Sequence, residues 1–533
     1  MRFLIFIFLI LFTSLSDAQS FNYSIGLDTV KIEKLGGLQS FAFGQADGKW
    51  LIIGGRLDGL HRRQPWASFN KAGHNTLLFV VDPIAKKQWS MPDTLLSPAL
   101  KEQLSSTNME FYQEGEILYL IGGYGFSATK NEHITFPSII ACNVSEIMQS
   151  IIAGIPFKNE QFHQINDEKF AVTGGQLQRM NGLYYLIGGH RFDGRYNPMN
   201  NPTFEQTYTN QVRIFELGFS DQQLKYRFLD SMYSQDLMHR RDFNVLPQID
   251  RNGTEKLTAF SGVFQEDLDI PYINAIEISD TSMHAIPRFA QYYNHYHCAS
   301  VSLFDRQKQQ QHFLFFGGIA NYYDSLSLLV MDTDVPFVST ISRISVAANG
   351  ELAEYKIPLN MPGFLGAASE FIPNPSLPKS ANDVLLIDDF QSDSLLLGYI
   401  FGGIKSSAAA IFWTNTGNES NANAFIYPVY LMKSADKSND QLNTQSNNGL
   451  QLQVFADAFQ QEVNVRFMNA TDGISMVTLQ KVDGSLLFKR KIRGKKNEVS
   501  SRNIKCKKLK IGERYRFVYS NNKQHFEQWI HVH

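Results

Sequence analysis

The chain has 533 residues, of which 43% are hydrophobic and 19% charged, and its formal net charge is -2. This apolar content excludes global disorder, and the near-zero charge excludes long-range attraction to nucleic acid, so any electrostatic recognition must be local. The length predicts two or more domains unless a repeat architecture intervenes.

The first residues read "MRFLIFIFLILFTSLSDAQS", in which Arg2 precedes an apolar run over residues 3–12. Small residues follow, and Ser16 and Ala18 predict cleavage by signal peptidase before Gln19. The run is shorter than the ~20 apolar residues that a membrane-spanning helix needs, which is the alternative interpretation. We therefore interpret residues 1–18 as a signal peptide. The mature chain is expected to be secreted or on the outer cell surface, without a membrane span.

An apolar, strand-like tract that ends in two glycines recurs along the chain, as in "KWLIIGG", "ILYLIGG" and "LYYLIGG". A second strand candidate and a polar turn precede each tract, as in "SFAFGQADGKW", and form a hairpin with it. Two more strand candidates follow, as in "NTLLFVVDPIAKKQWSMP". Four strands in meander order are typical of one blade of a β-propeller. The six copies end at Gly55, Gly123, Gly189, Gly262, Gly318 and Gly403.

Glycines at these positions have a steric reason, because a residue without a side chain lets the backbone turn or approach its neighbour closely. The repeat resembles the kelch-type β-propeller family, whose units carry a Gly-Gly pair at the end of the second strand. The resemblance covers about residues 30 to 435 and implies an all-β fold with a six-bladed kelch-like propeller over residues 19–435. Seven blades are the alternative. The chain departs from the family at Ser261-Gly262, and the tryptophan usual near the fourth strand is clear only at Trp89.

The loops after the second strands and the connections between blades open on one face of a propeller, where ligand sites gather. In this chain they carry Arg, His and Tyr residues from four units. Guanidinium groups bind carboxylate or phosphate bidentately and tyrosine rings stack on sugars, so we expect an anionic carbohydrate or a carboxylate-bearing peptide. The predicted ligand-binding residues are Arg56, Tyr124, His190, Arg191, Arg195, His239, Arg240, Arg241, His295 and His297.

A structural role is the alternative for these residues. The cations can pair with Asp58, Asp193, Asp242 and Asp324 to hold the loops together, and any single histidine can make a structural hydrogen bond. The sequence leaves both interpretations open.

Residues 436–449 are polar and rich in Asn and Ser, and they predict a linker. Residues 450–533 then alternate apolar and polar residues around turns and predict a small immunoglobulin-like β-sandwich. This tail resembles the C-terminal sorting domain of proteins exported by the type IX secretion system. The matching segments are "VFADAF", "VTLQKVDGSLLFKRKI" and "LKIGERYRFVY", although the Pro-Asn-Pro segment of that family is absent. The resemblance implies a bacterial export machinery as a partner.

The leading functional hypothesis is a secreted or cell-surface propeller that recognises a glycan or a protein through loops on one face. The alternative is a carbohydrate-acting enzyme such as a sialic acid mutarotase-like epimerase, which the kelch resemblance implies; whether the chain is an enzyme stays open. Serine nucleophile elbow, Walker loop and zinc-protease motifs are absent from the sequence. Three cysteines without metal-ligand spacing predict neither a disulfide framework nor a metal site, and we expect no cofactor.

Overall fold

The structure is a computed structural model that describes residues 21–532, apart from residues 65, 198–202, 326–327, 348, 388–389, 434–439, 444–449, 469–471, 497 and 523. Strands dominate the regular structure, which confirms the all-β prediction. The predicted signal peptide and most of the predicted linker lie outside the described residues. Within the described residues, no helix has the length and apolar character needed to cross a membrane.

Six sheets follow one another along the described residues, and each has four antiparallel strands as neighbours. Sheet one contains Ala42–Ala46, Lys49–Ile53, Leu77–Asp82 and Lys87–Pro92. Sheet two contains Glu110–Glu114, Ile117–Ile121, Pro137–Asn143 and Phe162–Ala171. Sheet three contains Gln176–Met180, Leu183–Ile187, Gln211–Ser220 and Gln223–Tyr233.

The later sheets follow the same order, except that the chain's first described strand completes the sixth. Sheet four contains Asn244–Ile249, Glu255–Phe260, Ala275–Ile278 and Met283–Ala285. Sheet five contains Ser300–Asp305, Gln310–Phe316, Thr340–Val346 and Leu352–Asn360, with Leu385–Ile387 and Gln441–Leu442 at its two edges. Sheet six contains Phe364–Pro373, Ser394–Ser406, Phe425–Lys433 and Tyr23–Leu27, with Val30–Lys31 and Ser420–Ala422 as short additions.

Short elements occupy the connections. The hairpins Tyr124–Ser127 with Glu132–Thr135, and His190–Gly194 with Phe204–Tyr208, lie in the connections that follow the second strands of sheets two and three. The helices are Pro98–Leu104, Val144–Ala153 and Gln235–Met238, with 3-10 turns at Lys71–Gly73 and Asn159–Gln161.

The predicted glycine pairs lie at the ends of the second strands, or within that strand in sheet six. A Cβ atom on Gly122 would lie 1.9 Å from the carbonyl oxygen of Val172, so the predicted close approach of the backbone is confirmed there. The N–H of the second residue of each pair donates to a carbonyl just before the next sheet or, for Gly318, at the start of the first strand of the next sheet. These bonds are Gly55 to Ser106 (2.8 Å), Gly123 to Val172 (2.9 Å), Gly189 to Arg240 (2.9 Å), Gly262 to His295 (3.0 Å), Gly318 to Leu365 (3.1 Å) and Gly403 to Leu38 (2.9 Å).

A second set of backbone hydrogen bonds joins six residues to one another. One of these residues lies near the start of the first strand of each sheet. We call these six residues the entry ring, because each N–H donates to the carbonyl of the previous member and the first donates to the last. The bonds are Asn108 to Ser40 (3.1 Å), Gly174 to Asn108 (3.3 Å), Asp242 to Gly174 (2.7 Å), His297 to Asp242 (2.8 Å), Ala368 to His297 (2.9 Å) and Ser40 to Ala368 (2.9 Å). Side chains from distant parts of the sequence are therefore brought together at this ring.

Apolar clusters lie between each sheet and the next along the chain, and a further cluster joins sheet six to sheet one. In that last cluster the rings of Trp50 and Tyr399 are 5.2 Å apart, and those of Phe41 and Phe401 are 5.4 Å apart. Burial of these faces is the main source of stability for such sheets.

The C-terminal residues form two sheets that share one apolar cluster. One sheet contains Gln451–Asp457, Glu462–Met468 and Val499–Lys505; the other contains Gly473–Lys481, Leu486–Gly494, Arg514–Ser520 and His525–His531. The second sheet also includes the hairpin Tyr322–Ser325 with Leu328–Asp332, which comes from the loop after the second strand of sheet five. The predicted sandwich thus shares a sheet and a core with the preceding part of the chain.

The described part of the predicted linker is attached to sheet five. Gln441–Leu442 pairs with the strand Leu352–Asn360, and the Nδ2 of Asn443 donates to Glu354 at 2.9 Å. Arg343 and Asp440 form an almost fully buried ion pair at 3.0 Å.

Candidate functional site at the entry ring

A group of interconnected polar side chains lies at the entry ring and comes from sheets two, four, five and six. It consists of Asn108, Arg241, Asp242, His297 and Glu370, and we call it the entry cluster. The Nδ2 of Asn108 donates to Asp242 Oδ1 at 3.1 Å, across two steps of the ring, and Arg241 forms an ion pair with the other oxygen of Asp242. The Nε2 of His297 lies 3.3 Å from Glu370 Oε1. The charged side chains are 13 to 21% exposed, so they are partly buried and still accessible.

Arg241 is the permanent cation of this cluster, and its guanidinium lies over the ring of Phe264 at 5.3 Å. Burial acts to lower the pKa of Arg241, but Tyr208, Asp242 and Tyr296 outweigh it and raise that pKa above its usual value. Its buried Nε has no hydrogen-bond partner among the described residues. A buried donor without a partner is costly, so an acceptor that reached this nitrogen would satisfy it.

His297 is the histidine of the cluster. Burial acts to lower its pKa, but the neighbouring Glu370 carboxylate, with a smaller contribution from Asp242, raises that pKa above the ordinary 6.5. His297 is therefore more readily protonated than an ordinary histidine.

Glu110 is a second titratable group beside the ring, two residues after Asn108. Its Oε1 accepts the N–H of Gly175 at 2.7 Å, and its buried Oε2 has no partner among the described residues. Burial, with a smaller contribution from Asp242, raises the pKa of Glu110 to about 8. This carboxyl group is thus largely protonated at neutral pH.

Aromatic residues surround the entry cluster. The ring of Tyr208 stacks on His239 at 3.8 Å, and its hydroxyl accepts the N–H of Phe264 at 3.2 Å. Phe264 meets Tyr296 edge to face at 6.3 Å. His61 stacks on Phe69 of sheet one's loop and meets Tyr196 of sheet three's loop edge to face at 4.9 Å.

The structure brings four of the predicted site residues to this place. Arg241 and His297 are members of the entry cluster, and His239 lies against it through Tyr208. His190 is buried and hydrogen-bonded to Gln206 at 2.7 Å. Burial, with a smaller effect of Arg241, lowers the pKa of His190 well below 6.5, so this histidine is neutral.

Three other predicted residues hold loops to one another. Arg56 is buried and pairs with Asp58, and its Nη2 also donates to Asn70 O at 3.1 Å. The hydroxyl of Tyr124 donates to Gly194 O at 2.6 Å, and Arg195 donates to Ser68 O at 2.6 and 2.9 Å.

The remaining three predicted residues lie away from the entry cluster. Arg191 is partly exposed and pairs with Asp193 and Glu168, each at 2.6 Å. Arg240 is fully buried over the ring of Tyr272, where it donates to Ser261 O and Asn274 Oδ1. His295 is fully buried; its Nδ1 accepts the N–H of Asn321 and its Nε2 donates to Gln291 O. Their predicted role in ligand binding stays a prediction.

The predicted site residues did not include Glu370, Tyr208 or Phe264. Asp242 was predicted only as an ion-pair partner for a cation. Glu370 lies inside a strand rather than in a loop, two residues after its ring residue Ala368. Glu110 likewise comes two residues after its ring residue, Asn108, and this two-residue spacing can be read in the sequence.

Other surface features are weaker candidates for a functional site than the entry cluster. A shallow open groove of about 440 Å³ lies between the outer strands of sheets two and three, lined by His163, Gln164, Ile165, Gln223, Leu224, Lys225 and Tyr226, far from the entry cluster in the fold. Among the described residues, no group of three His, Cys, Asp or Glu side chains is arranged to hold a metal ion.

Comparison with known proteins gives a fold-level likeness only. No protein-family model and no curated protein matches the chain. The chain is similar to the solved structure of YjhT, with 11% identity and a TM-score of 0.41 over 77% of this chain and 99% of that one. It is also similar to a fungal alcohol oxidase of the AA5 family in complex with copper, with 9% identity and a TM-score of 0.36 over 96% and 100% of the two chains. The protein is an all-β chain.

Proposed function

We propose that sheets one to six are the blades of a closed six-bladed kelch-like propeller. Three independent patterns support this: the six glycine bonds to the next sheet, the six bonds of the entry ring, and the apolar cluster between sheets six and one. In all three, the sixth sheet contacts the first. The strand Tyr23–Leu27 beside Phe425–Lys433 would then join the two ends of the propeller segment in one blade.

The function that the site supports best is recognition of a glycan at the entry cluster. A simple anion fits poorly, because Asp242, which pairs with Arg241, and Glu370, which pairs with His297, would repel it. A polyhydroxylated ligand fits better, because its hydroxyl groups both accept from Arg241 and donate to the carboxylates. The single observation that carries the proposal is the buried, unpartnered Nε of Arg241, whose guanidinium lies beside the Asp242 carboxylate and over the Phe264 ring.

The proposal is tested by glycan-array binding of the chain from Gln19 to His533, followed by calorimetric titration of any glycan that binds. The Arg241→Gln variant removes the cation, and Arg227→Gln is the matched control because Arg227 is an exposed arginine that pairs with Glu216 on the third and fourth strands of sheet three. We expect Arg241→Gln to weaken binding at least tenfold while Arg227→Gln keeps the affinity of the parent. No binding to any glycan would refute the carbohydrate proposal and favour a protein ligand.

One observation favours a second candidate, an enzyme that acts on the same sugar. His297 and Glu370 form a proton-transfer pair beside the proposed ligand position. In a mutarotase-like reaction such a pair takes the proton from the anomeric hydroxyl and returns it to the ring oxygen, which opens the sugar ring. Exchange between anomers followed by NMR tests this. Acceleration by the parent chain that His297→Gln abolishes, with sugar affinity kept, would support the enzyme; no acceleration would leave a binding protein.

We also propose that the chain is exported and acts outside the cell. This rests on residues 1–18 and on the resemblance of the tail to a sorting domain. Mass spectrometry of the protein recovered from its native host tests both parts. A mature N-terminus at Gln19 supports export, and an uncut chain that starts at Met1 contradicts it.

A further inference from the structure

The charge of the chain is distributed very unevenly. Residues 486–510 contain eleven of the 49 basic residues and one of the 51 acidic residues, so this segment carries +10 and the rest of the chain -12. All eleven basic residues are exposed in the structure. The near-neutral total therefore conceals a strongly cationic region on the C-terminal sandwich.

Most of these cations lack an acidic partner. Within the described chain, ion pairs form only for Lys495 with Glu498, Lys505 with Glu462 and Lys510 with Glu513. The eight basic residues without such a pair are Lys489, Arg490, Lys491, Arg493, Lys496, Arg502, Lys507 and Lys508. These cations repel one another, because no acidic side chain of the described chain pairs with them. An anionic partner would offset this repulsion.

Three of the cations form a regular row. Lys489, Lys491 and Arg493 alternate along the strand Leu486–Gly494, so their side chains leave the same face of the sheet, about 7 Å apart. The intervening Ile492 is buried in the core. Arg502, on the edge strand of the other sheet, donates to Arg493 O at 2.9 Å, so the row continues across the joint between the two sheets.

Exposed apolar side chains accompany this row. Ile474, which pairs with Arg493 across the strands, is 57% exposed, and Leu486 at the start of the strand is 52% exposed. Lysines on an edge strand also prevent pairing with other chains, but that role needs neither a row on the face of the sheet nor the apolar side chains beside it.

We propose that this cationic face, formed by Lys489, Lys491 and Arg493 with Ile474, binds an anionic lipid surface. The three cations leave one face of a sheet, so headgroups on a plane meet all three at once. The exposed Ile474 would enter the interface between headgroups and acyl chains. Because the rest of the chain carries a net charge of -12, contact is confined to this cationic region.

Co-sedimentation of the chain from Gln19 with vesicles of phosphatidylglycerol and phosphatidylcholine tests the proposal. We expect binding in 50 mM salt, little binding in 0.5 M salt, and none to pure phosphatidylcholine. The triple variant Lys489→Gln/Lys491→Gln/Arg493→Gln should bind about a hundredfold more weakly. The control Lys86→Gln/Lys87→Gln/Lys158→Gln removes the same charge from exposed sites on sheets one and two and should bind like the parent.

The proposal is overturned if anionic vesicles bind no better than neutral ones, or if both triple variants lose affinity equally. It is also overturned if a soluble sulfated polysaccharide competes fully with the vesicles at equal charge, which would point to a polymer ligand. If the triple variant at residues 489, 491 and 493 has a lower melting temperature than the parent, Ile474→Ser is tested in its place. We expect Ile474→Ser to weaken vesicle binding severalfold.

Discussion

Removal of residues 450–533 is expected to destabilise the six sheets, because the C-terminal sandwich shares its core with them. Four large side chains from the preceding sequence lie in that core: Ile273, Tyr292, Tyr322 and Met331, all at most 5% exposed. At ~1.5–3 kcal/mol for each side chain of this size, their exposure costs about 6–12 kcal/mol. This approaches the whole stability of a typical domain, about 5–15 kcal/mol.

Urea unfolding of the fragment 19–443 against the chain 19–533 measures the effect. The shift of the midpoint equals the loss in the free energy of unfolding divided by the m-value. A loss of ~6 kcal/mol and the usual m-value of about 1–3 kcal/mol per M give a midpoint lower by more than 1 M. Hydrogen exchange adds a local readout, since the strand Leu328–Asp332 loses its parallel partner His525–His531. Equal midpoints and unchanged protection of residues 328–332 would show that the C-terminal sandwich does not stabilise the six sheets.

Three further predictions follow from single groups. Glu370→Gln removes the main cause of the raised pKa of His297, so this pKa should fall below that of the parent in an NMR titration; an unchanged value would contradict the pairing. Asp440→Ala leaves the guanidinium of Arg343 buried without its ion partner and should cost ~3–5 kcal/mol in urea unfolding, and a loss under 1 kcal/mol would contradict it. Because the pKa of Glu110 is raised to about 8, the folded state keeps a proton that the unfolded state releases above about 4.5, so stability should decline as pH rises from 4.5 to 8. Glu110→Gln should make that decline shallower, and an identical pH dependence of the melting temperature would contradict this.

The repeats were predictable because their cause is local. A glycine pair with positive φ after an apolar strand is a property of a few consecutive residues, and the second glycine or its equivalent donates to the next sheet in all six cases. The replacement at Ser261 is tolerated with a φ of 52°, and its hydroxyl donates to Tyr272 O at 2.5 Å.

The entry cluster was only partly predictable, because it depends on contacts between sheets. Arg240 and Arg241 are adjacent and chemically alike, yet Arg240 bonds to Ser261 and Arg241 pairs with Asp242. Glu370 lies two residues after Ala368, whose N–H donates to His297 O in the entry ring, and this bond between sheets brings Glu370 to His297. No periodicity in the sequence encodes these contacts between sheets.

The attachment of the tail was not foreseen for the same reason. Composition alone predicted a linker over residues 436–449, but Asp440 is buried with Arg343 and residues 441–442 pair with sheet five. The parallel pairing of residues 330–332 with residues 529–531 joins segments about 200 positions apart, and such pairing leaves no local signal.

NMR of the histidine side chains during a glycan titration tests most directly whether the entry cluster binds the ligand. The chain has 13 histidines, and His297→Gln assigns the signal of His297. The predicted result is a saturable shift of the His297 signal, with the same dissociation constant as calorimetry. Saturable binding that moves other histidines and leaves His297 unchanged would contradict binding at the entry cluster.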